Sequence, residues 1–352
     1  YWLENKKDHF QTPQKLCADC VEIVNMQPLN IKVWTLADIN NDQEVDVLTV
    51  KYSPNSVYMD LFCSYNLGSL TFDPPISLGI QQVYAYSDVR NIKVKDFNQD
   101  EIPEIFFFDG LLSGTLYMAQ KNTTTAAWTI EQKANNVIAY NFIDSNNDGV
   151  DEIVSLSTSG SVRIHDQTGE LLMTKQAHCY AMTNCVWQSP TKIFINDVNG
   201  DERPDITLLS LYNQHDFQSF LSNGTDYTAY TKIVDIETTL LGMGDIDGDH
   251  DIDIISRHNG ISYYKNDGGG NFNVFESNHT DISTFDNYNN YISKYIDVNG
   301  DQTKDFVTIL DGYSLLIKTM NPNGSVAKTY KKTFEGSIMS YHFVDIDQDK
   351  DQ

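Results

Sequence analysis

The chain has 352 residues, of which 24 are basic and 49 acidic, for a formal net charge of −25. Charge of that sign repels phosphate backbones and anionic lipid, which argues against nucleic acid and membrane-surface partners and favours cations. Hydrophobic residues make up 40% and aromatic residues 12%, so the chain has the material for a core and is no disordered acidic tail.

No run of 18 apolar residues occurs, so a membrane would enter only through a segment not present in this chain. The chain starts at Tyr1 with no apolar signal region, and a secretory signal is expected to have been removed. Residues 1–32 hold a C-x-x-C, Cys17 and Cys20, and one strand candidate at 21–24.

From residue 33 one pattern recurs seven times, an apolar run, then D-x-[DN]-x-D-x-x-x-[DE], then another apolar run. The first copies are Asp38, Asn40, Asp42, Asp46 and Asp96, Asn98, Asp100, Glu104. Next come Asp144, Asn146, Asp148, Glu152 and Asp197, Asn199, Asp201, Asp205. The fifth is Asp245, Asp247, Asp249, Asp253 and the sixth Asp297, Asn299, Asp301, Asp305. The seventh begins Asp345, Asp347, Asp349 and meets the end of the chain. Start-to-start spacings are 58, 48, 53, 48, 52 and 48 residues.

The flanks of these motifs, such as 33–36, 47–50, 104–108, 192–195 and 305–310, are short and rich in β-branched and aromatic residues, as strands are. A second strand pair follows in most units: 218–221 runs through a turn to 227–233, and 261–264 runs through Gly268, Gly269 and Gly270 to 271–275. Four strands at such a period are the signature of propeller blades. No stretch keeps a 3.6-residue apolar period, so helix should be minimal. The expectation is an all-β, seven-bladed β-propeller over 33–352, with a loop between the first and second strands of each blade. Residues 1–32 should join the last blade, with further strands supplied from beyond Gln352, because an open sheet edge would otherwise remain.

Carboxylates and amides at positions 1, 3 and 5 of a curled loop converge, position 7 can add a carbonyl, and position 9 adds a further carboxylate. That is an all-oxygen cage suited to Ca²⁺, which tolerates irregular geometry better than Mg²⁺. An EF-hand is rejected. It needs Glu at position 12, where Thr49, Phe107, Ser155, Leu208, Ser256 and Thr308 stand, and Gly at position 6, found only as Gly149. The alternative is a set of Asp/Asn turns closed by side-chain to backbone hydrogen bonds. Seven filled sites would bring 14 positive charges against the net −25.

Between the third and fourth motifs, Cys179 and Cys185 have spacing that suits a small loop disulfide, and Cys63 is expected to bond Cys17 or Cys20. Asn-x-Ser/Thr sequons stand at Asn122, Asn223, Asn278 and Asn323, and with the cysteines they point to an extracellular or cell-surface glycoprotein. The histidines are scattered without metal spacing, and no nucleophile elbow, Walker loop or dinucleotide fingerprint is present. Tyr288, Tyr291 and Tyr295 read as strand packing, with sugar stacking as the alternative.

The motif with its flanks resembles the FG-GAP/VCBS repeat of integrin α-subunit propellers, and residues 263–272 resemble that repeat's second hairpin. The runs 34–42 and 96–106 are similar to early repeats of the T-cell immunomodulatory protein (linkin) family. That resemblance implies a calcium-binding propeller ectodomain with a role in adhesion or surface signalling. The expected function is non-catalytic: an adhesion, receptor or scaffold ectodomain binding a protein partner on a propeller face, with up to about seven Ca²⁺. A lectin-like glycan-binding propeller is the alternative, and the non-catalytic part of a calcium-dependent enzyme the third reading.

Overall fold

The computed structural model describes residues 32–334, apart from 53–57, 69–70, 81–82, 85–91, 109–113, 178–190, 211–216, 231–238, 246–248, 250, 258–260, 278–293, 302, 311–312 and 322–325. Every regular element among them is a strand. Strands form where the sequence alternates short β-branched and aromatic runs with Asp, Asn and Gly, whose turn conformations break the ladder.

The strands group into six sheets, each an antiparallel meander in chain order. The first sheet holds β1 (Lys32–Ala37), β2 (Asp46–Tyr52), β3 (Tyr58–Ser64) and β4 (Ile76–Ser77), with β5 (Val83–Tyr84) also on β3. The second holds β6 (Lys93–Lys95), β7 (Glu104–Phe108), β8 (Gly114–Lys121) and β9 (Trp128–Val137). In the third are β10 (Ala139–Ile143), β11 (Glu152–Leu156), β12 (Ser161–His165) and β13 (Leu171–Gln176). The fourth runs β14 (Thr191–Asn196), β15 (Asp205–Ser210), β16 (Phe217–Ser222) and β17 (Tyr227–Tyr230). The fifth is β18 (Thr239–Gly244), β19 (Asp253–Arg257), β20 (Ile261–Asn266) and β21 (Phe272–Ser277). The sixth is β22 (Lys294–Ile296), β23 (Asp305–Leu310), β24 (Ser314–Met320) and β25 (Val326–Thr333).

Consecutive sheets pack face to face. Leu48 and Leu61 of the first share a core with Ile105, Phe107 and Ala119 of the second. Phe106 and Leu116 of the second pack on Tyr140 and Ile153 of the third, where Phe106 and Phe142 meet edge-on at 4.8 Å. Val154 and Ile164 of the third meet Ile206, Leu208 and Phe220 of the fourth. A sheet covered on both faces buries the side chains of its inner strands, which is why β11 is buried throughout, its Glu152 and Ser155 included. The first strand of each sheet lies innermost: the Asn141 amide of β10 donates to the Ile193 carbonyl of β14 at 2.9 Å. Fourth strands such as β13 and β25 are largely exposed. This is an all-β propeller.

Six blades stand among the described residues, not the expected seven. Each of the first six motifs joins the first and second strands of its own blade. A blade needs paired strands on both sides of its loop; the strand at 341–344, the seventh motif Asp345, Asp347 and Asp349, and residues 1–31 lie outside the described residues, as does the expected closure. The first blade departs from the four-strand rule. Asp73, Pro74 and Pro75 precede a β4 of two residues, because proline cannot donate to a ladder. Cys63 is a free, buried thiol, which corrects the expected bond to Cys17 or Cys20: it faces Ile76 across the sheet inside an apolar core. Cys179 and Cys185 lie outside the described residues.

Candidate functional site

The Asp loops all leave the same end of their blades, since each connects a first strand to a second. Their local geometry repeats. Position 1 accepts backbone N–H groups from positions 5 and 6: Asp38 from Asp42 at 3.1 Å and Gln43 at 2.8 Å. Asp96 does the same with Asp100 and Glu101, and Asp144 with Asp148 and Gly149. Asp197 takes Asp201 and Glu202, and Asp297 takes Asp301. Position 3 accepts the position-5 N–H and donates its own amide to the position-5 carboxylate, at 2.8 Å from Asn40 to Asp42. Asn98, Asn146, Asn199 and Asn299 repeat that amide contact. Position 5 accepts the N–H of position 7, as Asp148 does from Val150 at 2.8 Å.

Such tight curling needs left-handed backbone. Position 4 is Asn41, Gln99, Asn147, Gly200 or Gly300, and position 6 is Gln43, Glu101, Gly149 or Glu202, all at positive φ. Gln43 (φ 71°), Glu101 (φ 69°) and Glu202 (φ 62°) hold that conformation without the freedom of glycine, which costs each roughly 1–2 kcal/mol. The sequence showed no such signal at position 6 beyond Gly149.

Position 9 has a role that sequence reasoning missed. It opens the second strand, and its carboxylate is buried: Asp46, Asp205 and Asp305 are 0% exposed. One oxygen accepts the N–H of loop position 2, at 2.9 Å from Ile39, 2.9 Å from Phe97 and 2.8 Å from Ser145. Val198 and Val298 repeat the contact with Asp205 and Asp305. In four blades the other oxygen accepts an N–H at or just past the end of the third strand: Asn66 to Asp46, Ser222 to Asp205, Asn266 to Asp253 and Met320 to Asp305. The carboxylate therefore clamps three segments of one blade together. Burial pushes these carboxyls up, to about 6 for Asp46, Asp205 and Asp305 and about 7 for Glu104, and raises Glu152 as well. The carboxylates at positions 1 and 5 add to the rise by like-charge repulsion.

Motif positions 1, 3, 5 and 9 offer only oxygen donors, which fits a hard cation and not a thiol- or imidazole-seeking metal. Acidic side chains alone do not assemble a site: among the described residues, no three His, Cys, Asp or Glu groups are placed to hold an ion. A cation would have to use the position-3 amide oxygen together with the carboxylates at positions 1 and 5, while position 9 is already engaged by backbone. In the fifth loop Asp247 lies outside the described residues, whereas Asp249 pairs with Lys265 at 2.7 Å. Neighbouring loops also touch: the Gln99 amide donates to the Gly149 carbonyl at 2.6 Å, and Lys95 pairs with Asp151.

Two sequons stand on the loop end of the blades. Asn122 and Asn223 occupy exposed hairpin tips, where their side-chain oxygens accept N–H groups from Thr124 and Thr225; Asn278 and Asn323 lie outside the described residues. Tyr288 and Tyr291 do too. At the same end, a cleft of ≈ 690 Å³ opens between the first two blades, lined by Asn40, Tyr65, Ile76, Lys121 and Trp128 among others. Tyr65 and Trp128 are far apart in sequence, which hid the cleft from a linear reading.

No family model matches the chain, and no curated protein matches it either. Among solved structures it is similar to BBS1N in complex with ARL6DN. The mercury-soaked crystal aligns over 87% of this chain and 83% of that one, at 10% identity and a TM-score of 0.53. The lead-soaked crystal aligns over 92% and 86%, at 10% identity and a TM-score of 0.53. A structure of Saccharomyces cerevisiae Sqt1 aligns over 88% and 77%, at 14% identity and a TM-score of 0.48. At this identity the two BBS1N alignments bear on fold alone, and the fold they support is the propeller.

Proposed function

We propose that this chain is a non-catalytic binding propeller of the FG-GAP/VCBS kind, an extracellular ectodomain whose loop-bearing face recognises a protein partner. The observation that carries this reading is the repetition of one rigid Asp loop at the same end of consecutive blades. Position-1, position-3 and position-5 side chains of each loop would hold a Ca²⁺, which would offset the like charges gathered there. Seven blades, with the seventh motif closing the ring, complete the architecture. Sequence likeness to the linkin family and a similar propeller solved with ARL6DN both support a protein partner. The repeats occupy nearly the whole of these 352 residues.

A second reading, glycan binding, is favoured by the cleft with Tyr65 and Trp128, since aromatic faces stack on sugar rings. One experiment separates the two. Purified chain is titrated onto intact cells in calcium or chelator, after the cells have been treated with protease or with glycosidases. A protein-binding face loses its binding after protease treatment and in chelator, and keeps it after glycosidase treatment. Binding that survives protease and vanishes with glycosidase treatment would transfer the assignment to the glycan.

A further inference from the structure

The cleft between the first two blades differs in charge from the rest of the molecule. The chain carries 49 acidic residues against 24 basic ones, yet no carboxylate lines this cleft, and Lys121 is the one charged side chain there. Its walls are aliphatic at Ile76 and Leu78 and aromatic at Tyr65 and Trp128.

The ladders fix this arrangement. Lys121 of β8 stands directly opposite Trp128 of β9, and opposed residues project from one face of a sheet with their Cβ atoms about 5 Å apart. Ammonium and indole therefore share a wall. On the other wall Ile76 stands opposite Cys63, and Tyr65 follows Cys63 by two residues, the spacing of one strand face. Both rings pack against the core shared by the two blades while staying only partly buried.

The polar tips in the cleft are donors without acceptors. Lys95, Lys133, Lys175 and Lys265 are each ion-paired. Among the described residues, the Lys121 ammonium, the Trp128 indole N–H and the Tyr65 hydroxyl meet no hydrogen-bond partner. The Ser77 hydroxyl accepts the Gly79 N–H at 3.1 Å and keeps its own proton to donate. A ligand that satisfies this set carries an anionic oxygen for Lys121, further oxygens for the neutral donors, and a ring with an apolar face for the aromatic walls. An extended peptide fits less well, because it would need a strand edge to add to. On the first-blade wall the backbone is already paired: Leu61 N–H donates to the Ile80 carbonyl at 3.1 Å and Leu78 N–H to the Leu61 carbonyl at 2.9 Å.

We propose that this cleft binds a sugar acid, a pyranose whose ring lies against Trp128 and Tyr65 and whose carboxylate meets Lys121. The proposal rests on the glycan reading of the cleft and adds the charge that selects among sugars. A volume of ≈ 690 Å³ suits a small ligand. A solvated ammonium–carboxylate contact contributes modestly, so the preference over a neutral sugar is several-fold and not absolute.

The test titrates the full chain with methyl β-glucuronide and methyl β-glucoside, which differ only in bearing a carboxylate or a hydroxymethyl group on the ring. Calorimetry and ligand-detected NMR read the binding, in calcium-free buffer so that no metal bridges the carboxylate. Wild type is expected to bind the glucuronide saturably with a Kd on the order of 1 mM, about three- to fivefold tighter than the glucoside. Lys121→Gln should bring the glucuronide down to the glucoside's affinity and leave the glucoside unchanged. Ala127→Phe, at an exposed position of the cleft wall, should abolish binding of both without disturbing the core. Lys331→Gln, on the outer strand β25, should bind as wild type does. Binding of neither sugar by wild type would overturn the proposal and the glycan reading together. Equal affinity for the two sugars, both lost in Ala127→Phe, would overturn the sugar acid alone and keep the glycan reading. Binding that survives both cleft variants, or falls equally in Lys331→Gln, would also overturn the proposal. So would tighter binding of an acetylated Asp-Phe amide that Ala127→Phe abolishes, which would assign the cleft to a peptide.

Discussion

The position-9 clamp is best tested at Asp205. Its carboxylate is fully buried and accepts the Val198 N–H at 2.9 Å and the Ser222 N–H at 2.7 Å. Asp205→Ala strands two buried donors. Each unsatisfied donor costs about 1–3 kcal/mol, so the loss is about 2–6 kcal/mol in total. Asp205→Asn keeps one acceptor oxygen but turns an amide toward one of the two N–H groups, so its loss should be smaller, about 1–3 kcal/mol. The control is Asp201→Ala, on an exposed loop position whose acceptor role is open to water.

The assay is urea unfolding of each variant, first in calcium and then in excess chelator. If position 9 served only to hold a cation, Asp205→Ala and wild type would unfold alike once the cation was gone. The clamp requires the Asp205→Ala deficit to persist in chelator, and to exceed that of Asp201→Ala under the same conditions. Coincident unfolding curves for wild type and Asp205→Ala in chelator would refute the clamp.

Chelation of the wild type should lower its melting temperature, with calcium restoring it and magnesium restoring it poorly; a filled site at 100-fold excess over its Kd adds about 2.7 kcal/mol, and an unchanged melting curve in chelator would leave the loops as hydrogen-bonded turns. In chelator the pH dependence should run opposite to that of an ordinary acidic protein. The position-9 carboxyls are raised, from ordinary values of 3.8 or 4.5 to about 6 for three aspartates and about 7 for Glu104. The folded state thus binds more protons than the unfolded one in that window, so their contribution is fully present below about pH 4 and is lost as pH rises through 6 to 7. Urea midpoints should accordingly increase from pH 7.5 to pH 5, and a flat or falling series counts against the shift. Glycine at the strained loop positions should stabilise: Gln43→Gly, Glu101→Gly and Glu202→Gly each relieve a left-handed side chain and should raise stability by about 0.5–1 kcal/mol after glycine's own entropic cost, whereas Gly149→Ala should lower it.

How much of this was legible in the sequence depends on the kind of signal. Loop positions and strand flanks were legible because a repeated spacing multiplies weak evidence: 33–36, 104–108 and 305–310 all became strands, and Gly268 to Gly270 became a hairpin turn. The role of position 9 was not, since a carboxylate at that spacing suits a cation and a pair of backbone N–H groups equally well, and only burial separates them. Left-handed backbone at Gln43, Glu101 and Glu202 was hidden by side chains that do not advertise it. The cleft between Tyr65 and Trp128 is a contact across blades, and the pairing of Lys93 with Asn141 spans 48 positions, beyond any local pattern.

The two faces of the Asp motif explain why it can recur without each copy being a perfect cage. Positions 1, 3 and 5 close the loop on itself through side-chain to backbone hydrogen bonds, and position 9 ties that loop to the core through a buried carboxylate. A loop built so holds its shape by protein contacts alone. A cation on the outer carboxylates would then mainly relieve repulsion, including the repulsion that helps raise the position-9 acids toward neutrality. On the proposed reading, calcium therefore tunes how firmly each blade holds its loop, and less-than-ideal copies such as the second, with Glu101 and Pro103 inside the loop, are tolerated because the clamp supplies the fold. The face that a partner would meet is thus set by hydrogen bonds and stiffened by charge neutralisation, which is why the separation of clamp from cation in chelator is the measurement on which both roles turn.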